Sequence, residues 1–217
     1  MFSYYGAKTK IVNKYPEPIY ETIIEPFAGS ARYALKYWDR RIILIEKYEP
    51  LYKVWIYLRS ASKEDILNLP DVPPSSELTK IDGFNNLRQE EKWLIGLCSN
   101  RGSNAPKNFS GGFCSWNKDK IRISDNLHKI RHWDIFHGDY KLCANMKATW
   151  FVDPPYQNMG KLYKENKIDY QELATYCKER IGQVIACENE GADYLPFKRL
   201  TEISGQRKKS IEVIWTK

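Results

Sequence analysis

Metal ligands and paired cysteines are scarce in this sequence, and this scarcity excludes several kinds of site. The cysteines are Cys98, Cys114, Cys143, Cys177 and Cys187. Their number is odd and no C-x-x-C occurs, so we expect neither a zinc knuckle nor a disulfide framework, and a reducing cytoplasm fits best. His128 and His132 stand four apart on a predicted helix, but no third ligand or H-E-x-x-H accompanies them, so we expect no metal.

Long apolar runs and phosphate-binding motifs are also missing. No apolar run approaches the roughly 18 residues of a membrane span, and no secretory segment is recognisable, so we expect no membrane partner. The sequence contains no G-x-x-x-x-G-K-[ST], and GSA at 29–31 falls short of the full G-x-G-x-x-G pattern. A pyrophosphate site is therefore disfavoured.

Length and charge indicate a sizeable basic domain. With 217 residues, of which 42% are hydrophobic, the chain can bury a full core, and one domain with an insertion is expected. Lys and Arg number 34 against 27 Asp and Glu, a formal net charge of +7. This excess favours a polyanionic partner, although a merely basic protein would have the same composition.

Strands and helices alternate at both ends of the chain, and the middle differs. The first part predicts a strand at 20–27, a helix at 29–38, a strand at 41–46 and a helix from 49 to about 58. Next come a capping box at Ser62 and Asp65, a helix at 85–98 and a stretch rich in Gly, Ser and Asn at 99–117. The last part predicts strands at 133–139, 148–153 and 183–188, a helix at 169–180 and a final strand pair near 199–203 and 210–215. This pattern predicts a mostly parallel α/β sheet with an insertion near 61–133.

The stretch WFVDPPYQ at 150–157 ends a short apolar strand with an acid, two prolines and a tyrosine. Pro154 and Pro155 cannot donate to a strand ladder, so the strand must stop at Asp153. The two prolines also stiffen the loop that carries Tyr156. A carboxylate, a backbone carbonyl and an aromatic face are therefore presented together at the carboxyl end of a strand.

Other acids close strands in the same way. Glu25, Glu46 and Asp139 each follow or end a strand-like run, as Asp153 does, and ligands of open α/β sheets collect beyond the carboxyl ends of strands. Gly29 stands where the backbone must turn tightly into a helix. Glu46 is placed to accept hydrogen bonds from ribose hydroxyls. An acid-lined rim repels pyrophosphate and favours a neutral or cationic nucleoside.

Four motifs occur in the order seen in DNA adenine N6-methyltransferases of the Dam type. They are SYYGAK at 3–8, EPFAGS at 25–30, FHGDY at 136–140 and DPPY at 153–156, and they span nearly the whole chain. The sequence therefore resembles this family. The resemblance implies a Rossmann-like methyltransferase sheet formed by 1–60 and 134–217, an inserted target-recognition region at 61–133, S-adenosylmethionine as methyl donor and base flipping of duplex DNA.

The resemblance also implies roles for individual residues. Tyr4 and Lys8 are similar to cofactor contacts, Glu46 to the acid that binds ribose, and Asp139, with Tyr140 beside it, to the acid near the adenine ring. The loop under the methionine part of the cofactor corresponds to Glu25, Pro26, Phe27, Ala28, Gly29 and Ser30. Asp153 resembles the residue shared by cofactor and target base. Family members commonly have glycine where Ala31 stands and Asp where Glu46 stands, and both replacements are expected to be mild.

The chemistry of amine methylation explains the DPPY stretch. The exocyclic amine of adenine is a weak nucleophile, because its lone pair is conjugated with the ring. Asp153 and the Pro154 carbonyl are suitable acceptors for its hydrogens, and Tyr156 is expected to stack on the extruded base. Methyl transfer from a sulfonium then needs positioning and a matched electrostatic environment, without a metal. Methylation of cytosine C5 would need a nucleophilic cysteine, and no Pro-Cys pair occurs.

The insertion is the expected reader of double-stranded DNA. Between Cys98 and Arg131 there are seven basic residues and two acidic ones. The candidate contacts are Arg101, Asn104, Lys107, Lys118, Lys120 and Arg122. A solvated polar loop would have a similar composition.

Three functions stay open at this point. The favoured one is a DNA adenine-N6 methyltransferase, acting as a monomer or weak dimer. The second is an RNA or cytosine-N4 amino-methyltransferase that uses the same DPPY chemistry. The third is a catalytically silent DNA-binding relative, against which the intact DPPY motif argues.

Overall fold

The computed structural model describes residues 1–2, 4–73, 79–100, 102–110, 115–204 and 209–217. The strands in these residues are β1 Thr22–Glu25, β2 Arg41–Glu46, β3 Thr79–Lys80, β4 Phe109–Ser110, β5 Asp134–His137, β6 Ala148–Val152, β7 Gly182–Asn189, β8 Lys198–Ser204 and β9 Lys209–Thr216. The α-helices are α1 Arg32–Lys36, α2 Glu49–Ser60, α3 Lys63–Leu67, α4 Gln89–Ser99, α5 Trp116–Asn126 and α6 Tyr170–Glu179. The fold is a mixed α/β fold.

Seven of these strands form one mostly parallel sheet in the order β5-β2-β1-β6-β7-β9-β8. Strands β5, β2, β1, β6 and β7 are parallel, whereas β9 runs antiparallel to both of its neighbours. The predicted mostly parallel α/β sheet is thus confirmed. Strands β3 and β4 pair separately as a short antiparallel ladder.

The central strands are apolar along their whole length because both faces of the sheet are covered. Ile23, Ile24, Ile42 and Leu44 are all fully buried, as expected for a parallel sheet with helices on both sides. Strand β6 ends at Val152, immediately before Asp153 and the two prolines. The predicted stop of this strand is therefore observed.

The insertion shares the core of the sheet domain. Its helices contribute Ile66, Leu94 and Trp116 to the same buried cluster as Trp55 of α2 and Leu44 of β2. The capping box of Ser62 and Asp65 is present at the start of α3.

Two features of the insertion differ from the sequence predictions. Helix α5 has no counterpart among the predicted helices, because it begins at Trp116 directly after a stretch rich in Gly, Ser and Asn. His128 and His132 do not share a helix, because the 3₁₀ turn Leu127–Ile130 carries His128 and ends before His132. Among the described residues, no helix is long and apolar enough to cross a membrane.

The sheet also fixes where a ligand can bind. The chain runs from β1 outward to β2 and β5 on one side and from β6 outward on the other, so the strand order reverses between β1 and β6. In open α/β sheets, ligands bind in the crevice outside the carboxyl ends of the strands at such a reversal. Glu25 and Asp153 are at this place.

Candidate cofactor and catalytic site

A pocket opens at the carboxyl ends of the parallel strands, with about 800 Å³ of space in it, including the solvent at its mouth. It is called the rim pocket below. Glu25 ends β1, Glu46 ends β2, Asp139 follows β5 and Asp153 follows β6, and all four acids line it. The four strand-end acids predicted from the sequence therefore meet in one cavity.

The predicted cofactor residues all line the rim pocket. They are Tyr4, Lys8, Glu25, Pro26, Phe27, Ala28, Gly29, Ser30, Glu46, Asp139, Tyr140 and Asp153. Pro155 of the DPPY stretch also lines it, but Pro154 and Tyr156 do not. The structure therefore brings the predicted cofactor residues together and places Pro154 and Tyr156 of the DPPY stretch outside the lining of the pocket.

Lys8 lies against Asp153, although 145 positions separate them in the sequence. The Nζ atom of Lys8 is 2.9 Å from Oδ1 of Asp153, and Lys8 is buried. Burial raises the pKa of Asp153 above its usual range, and the Lys8 ammonium offsets part of this rise. Burial lowers the pKa of Lys8, but Asp153 and Glu212 outweigh it and raise this pKa, so Lys8 stays charged. Two residues that the resemblance assigns to the cofactor therefore lie side by side in the wall of the rim pocket.

A second carboxylate stands behind this pair. Glu212 of β9 is almost fully buried, and its Oε1 accepts hydrogen bonds from the hydroxyls of Tyr15 at 2.7 Å and Tyr156 at 2.6 Å. Glu212 also lies 3.8 Å from Nζ of Lys8, and that ammonium is 4.4 Å from the ring centroid of Tyr156. Tyr156 is thus held at both its hydroxyl and its ring.

Glu46 is tied to the backbone at both of its oxygens. Oε2 accepts from the N–H of Gly29 at 2.8 Å, and Oε1 accepts from the N–H of Tyr48 at 2.8 Å. Burial raises the pKa of Glu46 to about 7, despite the lowering effect of these bonds. Each carboxylate oxygen can accept a further bond, so Glu46 could still receive a hydroxyl.

The loop at 25–30 leads into α1 through two residues with left-handed backbone. Gly29 has φ +47°, which explains the glycine at this position, and Ala31 has φ +45°. Since this region disfavours a side chain by roughly 1–2 kcal/mol, the alanine is a strained replacement for glycine. Oε1 of Glu25 accepts from the N–H of Ala34 at 2.5 Å. Burial raises the pKa of Glu25 to about 8.

Aromatic side chains form much of the remaining wall. Phe27 stacks on Tyr140, with ring centroids 5.1 Å apart. The rings of Tyr4 and Tyr163 lie 6.1 Å apart, and the hydroxyl of Tyr163 donates to the backbone carbonyl of Tyr5 at 3.4 Å. This wall offers planar apolar surface to a nucleoside base.

The outer side of the rim pocket is more exposed. Asp139 accepts from Nζ of Lys47 at 3.3 Å, and Lys47 lies 3.9 Å from Glu165. These side chains are about half exposed, so their ion pairs contribute little to stability.

The predicted DNA contacts fall into two groups. Lys107 and Lys118 are exposed, so both can reach a phosphate. Lys120 is buried, with Nζ 2.9 Å from the carbonyl of Leu69 and 2.5 Å from Asp71. It cannot serve as a phosphate contact in this arrangement, because the inward face of α5 holds it in the core.

The other predicted contacts are partly engaged inside the protein. Arg122 is half exposed but pairs with Asp119 at 2.7 Å. The amide nitrogen of Asn104 donates to the carbonyl of Leu162. Arg101 lies outside the described residues.

A second, shallower concavity adjoins the rim pocket. It encloses about 730 Å³ and shares Tyr5 with the rim pocket. Asn104, Lys107 and Leu162 are among its lining residues. Two of the predicted DNA contacts therefore face a groove beside the rim pocket.

Sequence reasoning missed Glu212 and Tyr163. Glu212 had a signal, because an acid inside the apolar run SIEVIW of a strand must find a buried partner. Tyr163 had none, because it belongs to a loop with no repeating pattern. Among the described residues, no group of three or more His, Cys, Asp or Glu side chains is arranged to hold a metal ion.

Comparison with known proteins adds little to this geometry. No family model matches the chain, and no curated protein does. One solved structure that matches is a conserved hypothetical protein from Streptococcus pyogenes, with 10% sequence identity and a TM-score of 0.35. The match covers 89% of this chain and 84% of that one. This likeness is too low to support an argument about function.

Proposed function

We propose that this protein is an S-adenosylmethionine-dependent DNA methyltransferase that modifies the N6 amine of adenine in duplex DNA. The observation that carries the proposal is the ion pair of Lys8 and Asp153 in the wall of the rim pocket. It joins the first and the last of the motifs on which the resemblance rests, SYYGAK and DPPY, at the strand reversal where α/β sheets bind ligands.

The side chains that line the rim pocket suit the cofactor in their chemistry. The walls of this pocket combine acidic side chains with aromatic rings. Aromatic rings can receive the adenine base, Glu46 can accept from a ribose hydroxyl, and the acids favour a cationic sulfonium over a polyphosphate. The strand order differs from the dinucleotide-binding order by one antiparallel strand, β9, and is compatible with the Rossmann-like sheet that the resemblance implies.

S-adenosylmethionine supplies a methyl group on a sulfonium, which needs no further activation. The chain would position the amine: Asp153 would accept a hydrogen bond from it, and the Lys8 ammonium offsets part of the rise that burial causes in the pKa of Asp153. The Tyr156 ring is fixed by Glu212 and Lys8, so any stacking on a flipped base would be with a rigid partner. Catalysis would then come from positioning and electrostatics.

Nucleoside analysis tests the proposal directly. Duplex DNA is incubated with the protein and labelled S-adenosylmethionine, digested to nucleosides and separated. Label in N6-methyldeoxyadenosine is the expected result. Label in N4-methyldeoxycytidine, or label only when RNA is the substrate, would replace the proposal by an alternative amino-methyltransferase. Cofactor binding without any labelled nucleoside would indicate a silent relative.

A further inference from the structure

The end of the DPPY stretch is anchored by two elements outside the rim pocket. Pro154 and Pro155 have no backbone N–H to donate, so the chain must be held by other groups there. The hydroxyl of Tyr170 on α6 donates to the carbonyl of Pro155 at 2.8 Å. The backbone N–H of Gln157 donates to Oε1 of Glu188 on β7 at 2.7 Å. The chain is therefore fixed by a carbonyl on one side of the tyrosine and by an N–H on the other.

Glu188 is the charged member of these anchors. It stands at the carboxyl end of β7 and is fully buried. Its Oε2 accepts from the backbone N–H of Asn189 at 2.8 Å, so each carboxylate oxygen holds one backbone donor. Burial of a carboxylate is costly unless hydrogen bonds offset it, and here both bonds go to the backbone. The carboxylate thus ties the segment after β6 to the end of β7.

The side chain of Gln157 strengthens the same connection. Its Nε2 donates to Oδ1 of Asp193 at 3.0 Å, and its Oε1 accepts from the backbone N–H of Asp193 at 3.3 Å. These two bonds are exposed, whereas the bond between its backbone N–H and Glu188 is sheltered from solvent at the carboxylate. The buried bond is therefore the stronger constraint on the loop.

The charge of Glu188 depends on pH in the neutral range. Burial raises the pKa of Glu188 to about 7, and the carboxylates of Asp153 and Glu212 add to this rise, whereas the two backbone hydrogen bonds oppose it. The hydroxyls of Tyr170 and Tyr194 also interact with its charge. An ionised carboxylate accepts at both oxygens, but protonation turns one oxygen into a donor. The anchor should therefore tighten as the pH rises through about 7.

We propose that Glu188 is a positioning residue for methyl transfer: by holding the backbone N–H of Gln157, it fixes the segment that presents the DPPY carbonyl and aromatic ring to the target amine. This inference rests on the proposed function. Neither Glu188 nor Gln157 lines the rim pocket, so the effect acts through the position of the DPPY loop and leaves the cofactor site unchanged. A misplacement of reacting groups by about 1 Å can cost about 100-fold in rate.

The pH dependence of kcat at saturating cofactor and duplex DNA tests this inference. Wild-type kcat should rise between about pH 6 and about pH 8 as Glu188 ionises. Glu188→Gln keeps one acceptor oxygen but turns an amide donor toward the other N–H, so kcat at pH 8 should fall about 10-fold to 30-fold. The gap to the wild type should narrow at pH 6. Calorimetric affinity for S-adenosylhomocysteine should stay within about twofold, which also shows that the variant is folded.

Three further variants separate the buried charge from its surroundings. Glu190→Gln is the matched control, because Glu190 is exposed and only two positions away, and it should keep the wild-type rate and profile. Gln157→Ala keeps the backbone N–H and loses only the bonds to Asp193, so kcat should fall by no more than about twofold. Glu188→Asp retains the charge on a shorter side chain and should keep the pH dependence with part of the rate.

The outcomes distinguish this inference from the proposed function. Wild-type kcat in Glu188→Gln, or a loss by the same factor at pH 6 and pH 8, would overturn the inference and leave the proposed function standing. A wild-type kcat that is flat between these pH values would overturn it as well, even if Glu188→Gln did not fold. A wild-type protein that transfers no methyl group would contradict the proposed function, and the inference would fall with it.

Discussion

The rim pocket and the insertion are both rich in charged side chains, but the sheet determines the geometry of only one of them. In the rim pocket, residues far apart in the sequence converge because parallel strands end at one edge, and Lys8 meets Asp153 there. In the insertion, the exposure of each cation on α5 depends on the face of the helix that carries it: Lys118 is exposed and Lys120 is buried. Topology therefore predicts a site better than charge density does.

The largest effect is expected at the acceptor of the rim pocket. Asp153→Ala should lower the rate of methyl transfer about 1000-fold while the protein stays folded, because alanine cannot accept a hydrogen bond from the reacting amine. Asp153→Asn should also lose most of the rate, because its amide adds a donor facing the amine. Initial rates with labelled cofactor measure both.

Asp39→Asn is the control for this pair, since Asp39 is exposed and precedes β2 at the opposite edge of the sheet. It should retain the wild-type rate. Wild-type turnover by Asp153→Ala would remove Asp153 from the chemistry.

The next effect concerns cofactor affinity. Glu46→Ala should weaken binding of S-adenosylmethionine by roughly 1–3 kcal/mol, the scale of hydrogen bonds to a charged group. The pKa of Glu46, which burial raises to about 7, gives a second signature. The carboxylate becomes ionised, and a better acceptor, as the pH rises through 7, so wild-type affinity should increase between about pH 6 and about pH 8.

Glu46→Gln should flatten this part of the pH profile. Glu25, whose pKa burial raises to about 8, titrates in both proteins, so the difference between the two profiles reports Glu46. Equal affinities or equal profiles by calorimetry would place Glu46 outside the site.

A smaller effect on catalysis is expected at Glu212, which lies behind the pair of Lys8 and Asp153. Glu212→Gln keeps an acceptor for Tyr15 and Tyr156 but removes the charge near Lys8. We expect kcat to fall about tenfold with KM within about twofold, because the polar network around the DPPY stretch acts as a unit. Glu202→Gln on β8 is the control, since Glu202 pairs with exposed cations of β8 and β9. A loss of thermal stability with unchanged kcat would limit Glu212 to a structural role.

The smallest effects are expected in the insertion. They distinguish its exposed cations, which can contact DNA, from its buried one. Replacing Lys107 and Lys118 by alanine should reduce the slope of log affinity against log salt by about one unit for each phosphate that is no longer neutralised. Lys120→Ala should lower stability and leave the slope unchanged, because the lysine is buried against Leu69 and Asp71. Fluorescence anisotropy on duplex DNA at several salt concentrations measures the slope, and a lower slope for Lys120→Ala alone would reverse this assignment.

The parts of the fold that can be predicted are those whose apolar residues repeat regularly or whose ends are marked by proline or glycine. RIILIE is predicted as a strand and forms β2 at the same residues, and the prolines after Asp153 end β6 as expected. The helix at 29–38 is shorter than predicted, because Gly29 and Ala31 adopt left-handed backbone before α1 begins.

The partners of buried charges are harder to predict. Nothing local to Lys8 indicates that Asp153 and Glu212 are its neighbours, because the sheet alone brings the three together. Lys120 is predicted to be exposed because it stands in a basic stretch, and only the packing of α5 on α3 shows that it points inward. Which charged residues become neighbours thus depends on how the strands are ordered in the sheet, and the amino-acid composition does not reveal that order.

The proposed function requires the rim pocket to hold S-adenosylmethionine. A crystal structure of the protein with S-adenosylhomocysteine would show whether it does. We expect a single nucleoside between Glu46 and Asp153, with its ribose hydroxyls facing Glu46. An empty rim pocket with the nucleoside bound against the insertion would show that the proposed cofactor site is wrong.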